Sequence, residues 1–205
     1  MKRYSVAIAI IAILLSACCP MVSVNPLSTP AGLDKRLEGV WKFDSKEGDE
    51  VYLHIGEQSE NTMSALSVEH KSNGKLDIIK IPFFLTRTSE NNYLNVKLED
   101  LAKEVSEGNK GFILLRYVFT DNNTLLLYQL DRQLIISAIQ TNKLAGKITY
   151  KKKIVPKETK KDGDTSGKII DCVKITDTSN NMINFFASVK KDKLFSDEMK
   201  FIKVK

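Results

Sequence analysis

The segment Gly111-Phe112-Ile113-Leu114-Leu115-Arg116-Tyr117-Val118-Phe119-Thr120 runs into Asp121-Asn122-Asn123 and then into Thr124-Leu125-Leu126-Leu127-Tyr128-Gln129-Leu130. At a period of two, Ile113, Leu115, Tyr117 and Phe119 share one face, and Phe112, Leu114, Arg116 and Val118 share the other. That alternation, rich in aromatic and β-branched residues, is the pattern of a strand. Asp and Asn tolerate the backbone of a tight turn, so the three-residue break predicts a hairpin. Two strands joined this closely are antiparallel, and this sets the fold class: β-rich, built as a meander.

Upstream, the same pattern recurs. Residues 37–43 read as a first strand. Val51, Leu53 and Ile55 alternate with Tyr52 and His54 in a second, and residues 64–70 form a third. Ser72-Asn73-Gly74 supplies a turn that favours positive φ. Residues 76–87 form a long strand in which Pro82 marks an edge or a bulge. Residues 93–98 form the next strand, and residues 98–105 suit a short helix ending near Gly108.

Downstream the period changes. Asp131 is placed to cap a helix over 132–142, with Leu134, Ile135, Ala138 and Ile139 at helical spacing. Gly146 suits its stop. Residues 147–155 and 169–175 read as strands around an exposed Lys-, Asp- and Gly-rich loop at 156–167. Asp177 or Thr178 caps a second helix over 179–189, whose stripe is Met182, Ile183, Phe185, Phe186 and Val189. Residues 199–204 close the chain as a strand. The expected domain, residues 37–205, is therefore α+β and β-rich: an antiparallel sheet of about eight strands, strongly curved or barrel-like, with two helices in the C-terminal half. Eight strands suffice to close a small barrel.

The chain begins differently. Lys2 and Arg3 precede an apolar run from Val6 to Leu15, and Leu15-Ser16-Ala17-Cys18 follows. A basic start, about ten apolar residues and small residues before a cut describe a secretory signal; a membrane span needs about 20. An ordinary signal peptide cut near Ala17 is one reading. The order apolar–small–small–Cys resembles the lipobox of bacterial lipoproteins. That resemblance implies diacylglycerol on the Cys18 thiol, cleavage of residues 1–17, and a mature chain held at a membrane through its lipid. Cys19 and Pro20 follow where an Asp would retain such a protein at the inner membrane, so the resemblance implies the outer membrane and its periplasmic face. Residues 18–36, with Pro20, Pro26 and Pro30 among Ser, Thr and Asn, read as a flexible linker able to lift the domain some tens of Å from the anchor.

The composition excludes several functions. Thirty-one basic and 25 acidic residues give a net charge of +6, mild and mostly interspersed, apart from Lys151-Lys152-Lys153 and a cluster at 157–161. We read these as solvated surface with a weak attraction to anionic head groups, not as a nucleic-acid site. His54 and His70 fall on neighbouring strands, but Glu69 and His70 point to opposite faces and no third ligand is in view, so neither metal nor catalysis is expected. Asp162-Gly163-Asp164 lacks the remaining ligands of a calcium loop. No nucleophile elbow, zinc helix or phosphate loop occurs, and no cofactor is expected. Cys172, in an apolar strand, reads as a buried free thiol, with a Cys19–Cys172 disulfide as the alternative.

Gly39-Val40-Trp41 on the first strand resembles the Gly-x-Trp start of lipocalins and lipocalin-like bacterial lipoproteins. That resemblance implies a Trp packed across the closed end of a barrel whose open end takes a small apolar ligand. Trp41 as a plain core anchor is the reading from the residues alone. The chain also resembles small bacterial lipoproteins that share a Gly-x-Trp strand, a meander and a Leu-Phe…Phe-x-x-Val ending, here Leu194-Phe195 and Phe201-Ile202-Lys203-Val204. The expected function is a non-catalytic envelope lipoprotein that binds a small apolar ligand or, alternatively, a protein of an envelope complex, with an enzyme as the third reading.

Overall fold

The computed structural model describes residues 21–44, 50–70, 74–101, 110–152 and 168–204. Cys18, Cys19, most of the helix expected at 98–105 and Asp162-Gly163-Asp164 lie outside them. Among the described residues eleven strands form one sheet: β1 (Met21–Ser23), β2 (Gly39–Phe43), β3 (Glu50–Ser59), β4 (Thr62–His70), β5 (Leu76–Arg87), β6 (Asn92–Lys97), β7 (Phe112–Asp121), β8 (Thr124–Leu130), β9 (Gly146–Lys152), β10 (Lys168–Ile175) and β11 (Phe195–Lys203). Helices α1 (Arg132–Gln140), α2 (Ser179–Ser188) and the single turn α3 (Lys191–Leu194) all fall between β8 and β11.

Strands β2 to β8 pair in sequence order, each antiparallel to the next. β11 then lies between β8 and β2 and closes the circle. The result is a closed eight-stranded antiparallel barrel. The remaining strands, β1, β10 and β9, extend from the start of β7, where Ser23 pairs with Phe112. The sequence pattern located seven of the eight barrel strands within a few residues and placed β11 four residues late. Its hairpin at 121–124 is present: Asp121 Oδ1 accepts from the Asn123 amide at 2.7 Å. Pro82 stands at the last position of β5 before β6 joins, since β5–β6 pairing begins at Phe83. The edge expected from proline is local to residues 76–82.

The alternation creates two cores. Trp41, Leu53, Met63, Phe83, Leu115 and Phe201 point into the barrel. The outward residues Tyr93, Leu114 and Leu130 pack against α1, α2 and the inner face of β10 to form the second core. Asp131 caps α1 through the Leu134 amide at 2.7 Å. Thr178, not Asp177, caps α2 through Asn181 at 3.3 Å.

Two expectations are corrected. Gly146 does not stop α1. Asn142 does, at φ +57, with Lys143 N bonded to Ala138 O at 2.8 Å and Asn142 N to Ile139 O at 3.2 Å, the two bonds of a Schellman stop with Asn in place of Gly. Gly146 instead opens β9 under Ile139, whose Cδ1 would lie 2.5 Å from an added Cβ. The second correction is larger. From residue 21 on, the expected linker is part of the domain. Met21–Ser23 pairs parallel to β10, and Val22 and Leu27 are fully buried. Leu27 N donates to Asn95 Oδ1 at 3.0 Å, Ala31 N to Leu85 O at 2.8 Å, and Asn25 Nδ2 to Asp177 O at 2.9 Å. Proline and serine do keep this stretch irregular. Its backbone groups are satisfied by the barrel wall in place of water.

Candidate functional site

The strap at 24–38 ends by crossing one mouth of the barrel. The 3-10 turn Lys35–Leu37 lies there, begun by Asp34, whose side chain accepts from the Arg36 amide. Trp41 is fully buried beneath it and donates from Nε1 to the Leu37 carbonyl at 2.7 Å. Phe119 lies 5.8 Å from the indole and the Lys203 ammonium 5.1 Å from its ring centre. Arg36 stacks over Phe119 and forks onto Asp34 with contacts of 2.6 and 2.9 Å. The Tyr117 hydroxyl donates to the same carboxylate at 3.1 Å. Burial alone would raise the Asp34 carboxyl; hydrogen bonds from the Arg36 side chain and backbone, the guanidinium charge and Tyr117 bring it below its ordinary value. Tyr117 is raised, first by burial and then by the charge of Asp34. This mouth is therefore plugged and pinned.

Above the plug the barrel interior is filled by side chains. A void of about 40 Å³ remains, with a wholly apolar wall that includes Leu53, Ile55, Ala65, Ile81, Leu127 and Met199. Pockets for drug-sized ligands run to about 300–1,000 Å³. At the opposite mouth Glu69 faces inward and is 1 % exposed, directly across from Val51 and Asp77. His70 points outward beside Tyr52, ring centres 6.0 Å apart, and His54 is exposed opposite Leu66. Glu69 and His70 thus occupy opposite faces, and no group of three His, Cys, Asp or Glu able to hold a metal ion occurs among the described residues. Cys172 is buried on β10.

Three outer features were not legible as sites in the sequence. The first is an apolar face on β4 and β5, where Leu66, Leu76 and Ile78 are 41, 53 and 62 % exposed. It borders residues 76–82 of β5, whose side away from β4 has no strand partner among the described residues. Alternation marks these positions as outward, but only the ladder shows that β6 pairs with β5 from Phe83 onward.

The second is an open cleft of about 720 Å³ between the α1–β9 turn and α2, lined by Asn142, Lys143, Asp177, Asn181, Asn184 and Phe185 among others. Asp177 holds its rim together: Ala145 N donates at 2.9 Å, Thr178 N at 2.8 Å and Asn181 Nδ2 at 2.8 Å. Burial would raise this carboxyl, and these donors outweigh it and lower it.

The third is Arg116 on the outer wall of β7, stacked 5.1 Å from Tyr128 and 5.0 Å from Phe195, with its buried Nε lacking a hydrogen-bond partner. Its cross-strand neighbour Tyr93 is pushed up to about 12, mainly by burial.

No protein-family model, no curated protein and no solved structure matches this chain. No helix among the described residues is long and apolar enough to cross a membrane.

Proposed function

We propose that this is a lipid-anchored cell-envelope protein, held through Cys18 on the periplasmic side of the outer membrane, whose barrel domain is a non-catalytic binding module. The lipobox-like Leu15-Ser16-Ala17-Cys18 supports the anchor. The observation that carries the mode of binding is the filled barrel: its 40 Å³ void leaves the outer surface as the larger recognition area. The module engages an envelope protein through the β4–β5 face. An extended segment adds as a strand along residues 76–82, and its alternate side chains rest on Leu76 and Ile78. Such an edge gives main-chain hydrogen bonds for affinity and an apolar face for selectivity.

The test is photo-crosslinking in intact cells with the crosslinker at Ile78 or, as a control on the far wall, at Tyr128. A discrete adduct at Ile78 alone supports the module; the same adduct pattern at both positions, or none, sinks it.

A second reading, a carrier for a small apolar molecule, is favoured by the wholly apolar lining of the void. Native mass spectrometry of the gently purified mature protein decides it. A reproducible added mass lost on organic extraction supports the carrier, and a clean apo mass favours the outer-surface module.

A further inference from the structure

We propose that the cleft between the α1–β9 turn and α2 is a binding site for a neutral oligosaccharide. It uses none of the β4–β5 face and stands whether or not Cys18 carries a lipid. One wall follows from spacing. Asn181, Asn184, Phe185 and Ser188 line the cleft and stand at i, i+3, i+4 and i+7 of α2, which is one face of a helix. Met182 and Phe186 of the same helix are turned into the second core. The wall presented to the cleft is therefore two amides, an aromatic ring and a hydroxyl. Across from it, the turn that stops α1 contributes Asn142 and Lys143.

Asp177 makes the cleft a built feature. Its side chain is 8 % exposed and ties the two walls together, since Oδ2 accepts from the Ala145 amide on the turn and Oδ1 from Asn181 Nδ2 on the helix. Its carbonyl oxygen accepts from Asn25 at 2.9 Å, which fastens the same point to the strap. Walls fixed in advance lower the ordering cost of binding. A carboxylate offers about four acceptor positions. With Thr178 as the third donor, about one position remains for a ligand hydroxyl, in a charge-assisted hydrogen bond.

The remaining polar groups suit the same ligand. Asn142 and Asn184 are exposed, and no hydrogen bond holds either side chain among the described residues. Asn181 donates to Asp177 and keeps its Oδ1; Ser188 donates to the Phe185 carbonyl at 2.7 Å and keeps its acceptor capacity. An amide offers donors and an acceptor side by side, the complement of adjacent hydroxyls that both donate and accept. The half-buried Phe185 packs on Phe186, ring centres 6.1 Å apart, and the negative face of such a ring attracts the polarised C–H side of a sugar. Charge narrows the class. Among the described lining residues Lys143 is the only cation and Asp177 the only anion. Asp177, held ionised by its donors, opposes a phosphate or carboxylate, and Lys143 opposes a cation. An apolar ligand would strip water from the amides and return no hydrogen bond. The volume of about 720 Å³ falls within the range of small-ligand sites and has room for about two or three sugar rings.

The experiment titrates the purified full chain with maltotriose and with triacetylchitotriose, by calorimetry and by saturation transfer from the protein's aromatic protons. The expected result is that one of the two binds with a Kd of about 1 mM or tighter, and that its C–H protons receive the saturation. Asn184→Ala should weaken binding about fivefold, the worth of one neutral hydrogen bond, with an unchanged melting curve because the residue is exposed. Phe185→Leu keeps an apolar side chain but removes the ring; it should lose the saturation transfer and weaken binding by up to about tenfold. Three results overturn the inference: no binding of either sugar at about ten times that concentration, binding that neither variant weakens, or tighter binding of inorganic phosphate that Asn184→Ala weakens. The incorporation of labelled palmitate, which tests the anchor, has no bearing on these readings, so the two ideas fail separately.

Discussion

The indole Nε1 of Trp41 donates to the carbonyl oxygen of Leu37 at 2.7 Å, and both residues are fully buried. One side chain thereby fills the end of the barrel and fixes the turn that covers it. Trp41→Ala should destabilise the protein by about 3–5 kcal/mol, because the loss of a large buried ring leaves a cavity. Trp41→Phe keeps most of the volume but leaves the Leu37 carbonyl without its donor, at a cost of about 1–3 kcal/mol. Chemical denaturation of the two variants separates volume from hydrogen bond; an unchanged midpoint for both would place Trp41 outside the core.

Asp34 gives this end a pH dependence. Its carboxyl is lowered in the folded state, so its contribution is fully present above the unfolded value of about 3.9 and is lost as pH falls below it through the folded value. Asp34→Asn should cost about 1–2 kcal/mol at neutral pH, a figure reduced because Arg36 is 64 % exposed. The variant should also lose less stability than the wild type between pH 4 and pH 2, a window set by the reference value. Melting curves across that range check the sign; parallel acid limbs would remove Asp34 from the account.

Leu27 tests whether residues 21–36 belong to the domain. It is fully buried in the second core and its amide is held by Asn95. Leu27→Ala should cost about 2–5 kcal/mol, whereas a residue in a solvated linker would cost almost nothing. Equilibrium unfolding distinguishes the two directly.

Gly111 should be irreplaceable where Gly56 is not. Gly111 sits at φ +144, and an added Cβ would collide with the Ser23 carbonyl oxygen. Gly111→Ala should cost about 2 kcal/mol or more through strain and displacement of β1 from β7. Around Gly56 nothing lies within 4 Å of an added Cβ, so Gly56→Ala should be neutral or slightly stabilising. Equal effects of the two substitutions would mean that contact with Ser23 does not constrain Gly111.

Strand existence and order were legible because they are local. Alternation at 112–119 and 51–55, and turn residues at 121–123, act within a few positions. Helix starts were legible for the same reason: Asp131 and Thr178 bond amides only three residues away. The stop of α1 was misassigned because Asn142 and Gly146 are both acceptable signals, and only the packing of Ile139 over Gly146 decides between them.

The sequence by itself determined a β-rich chain, its hairpin order, its capped helices and a start that reads as an anchor. The tertiary structure decided what depends on distant partners. It closed β11 onto β2 and β8, and it drew Met21–Ser23 into the sheet beside a strand some 150 residues away. It also filled the barrel and left residues 76–82 of β5 with no strand partner, among the described residues, on the side away from β4. The physical reason is that periodicity and turn chemistry report local preference, whereas closure, burial and the satisfaction of the strap's amides are settled by which distant surfaces meet.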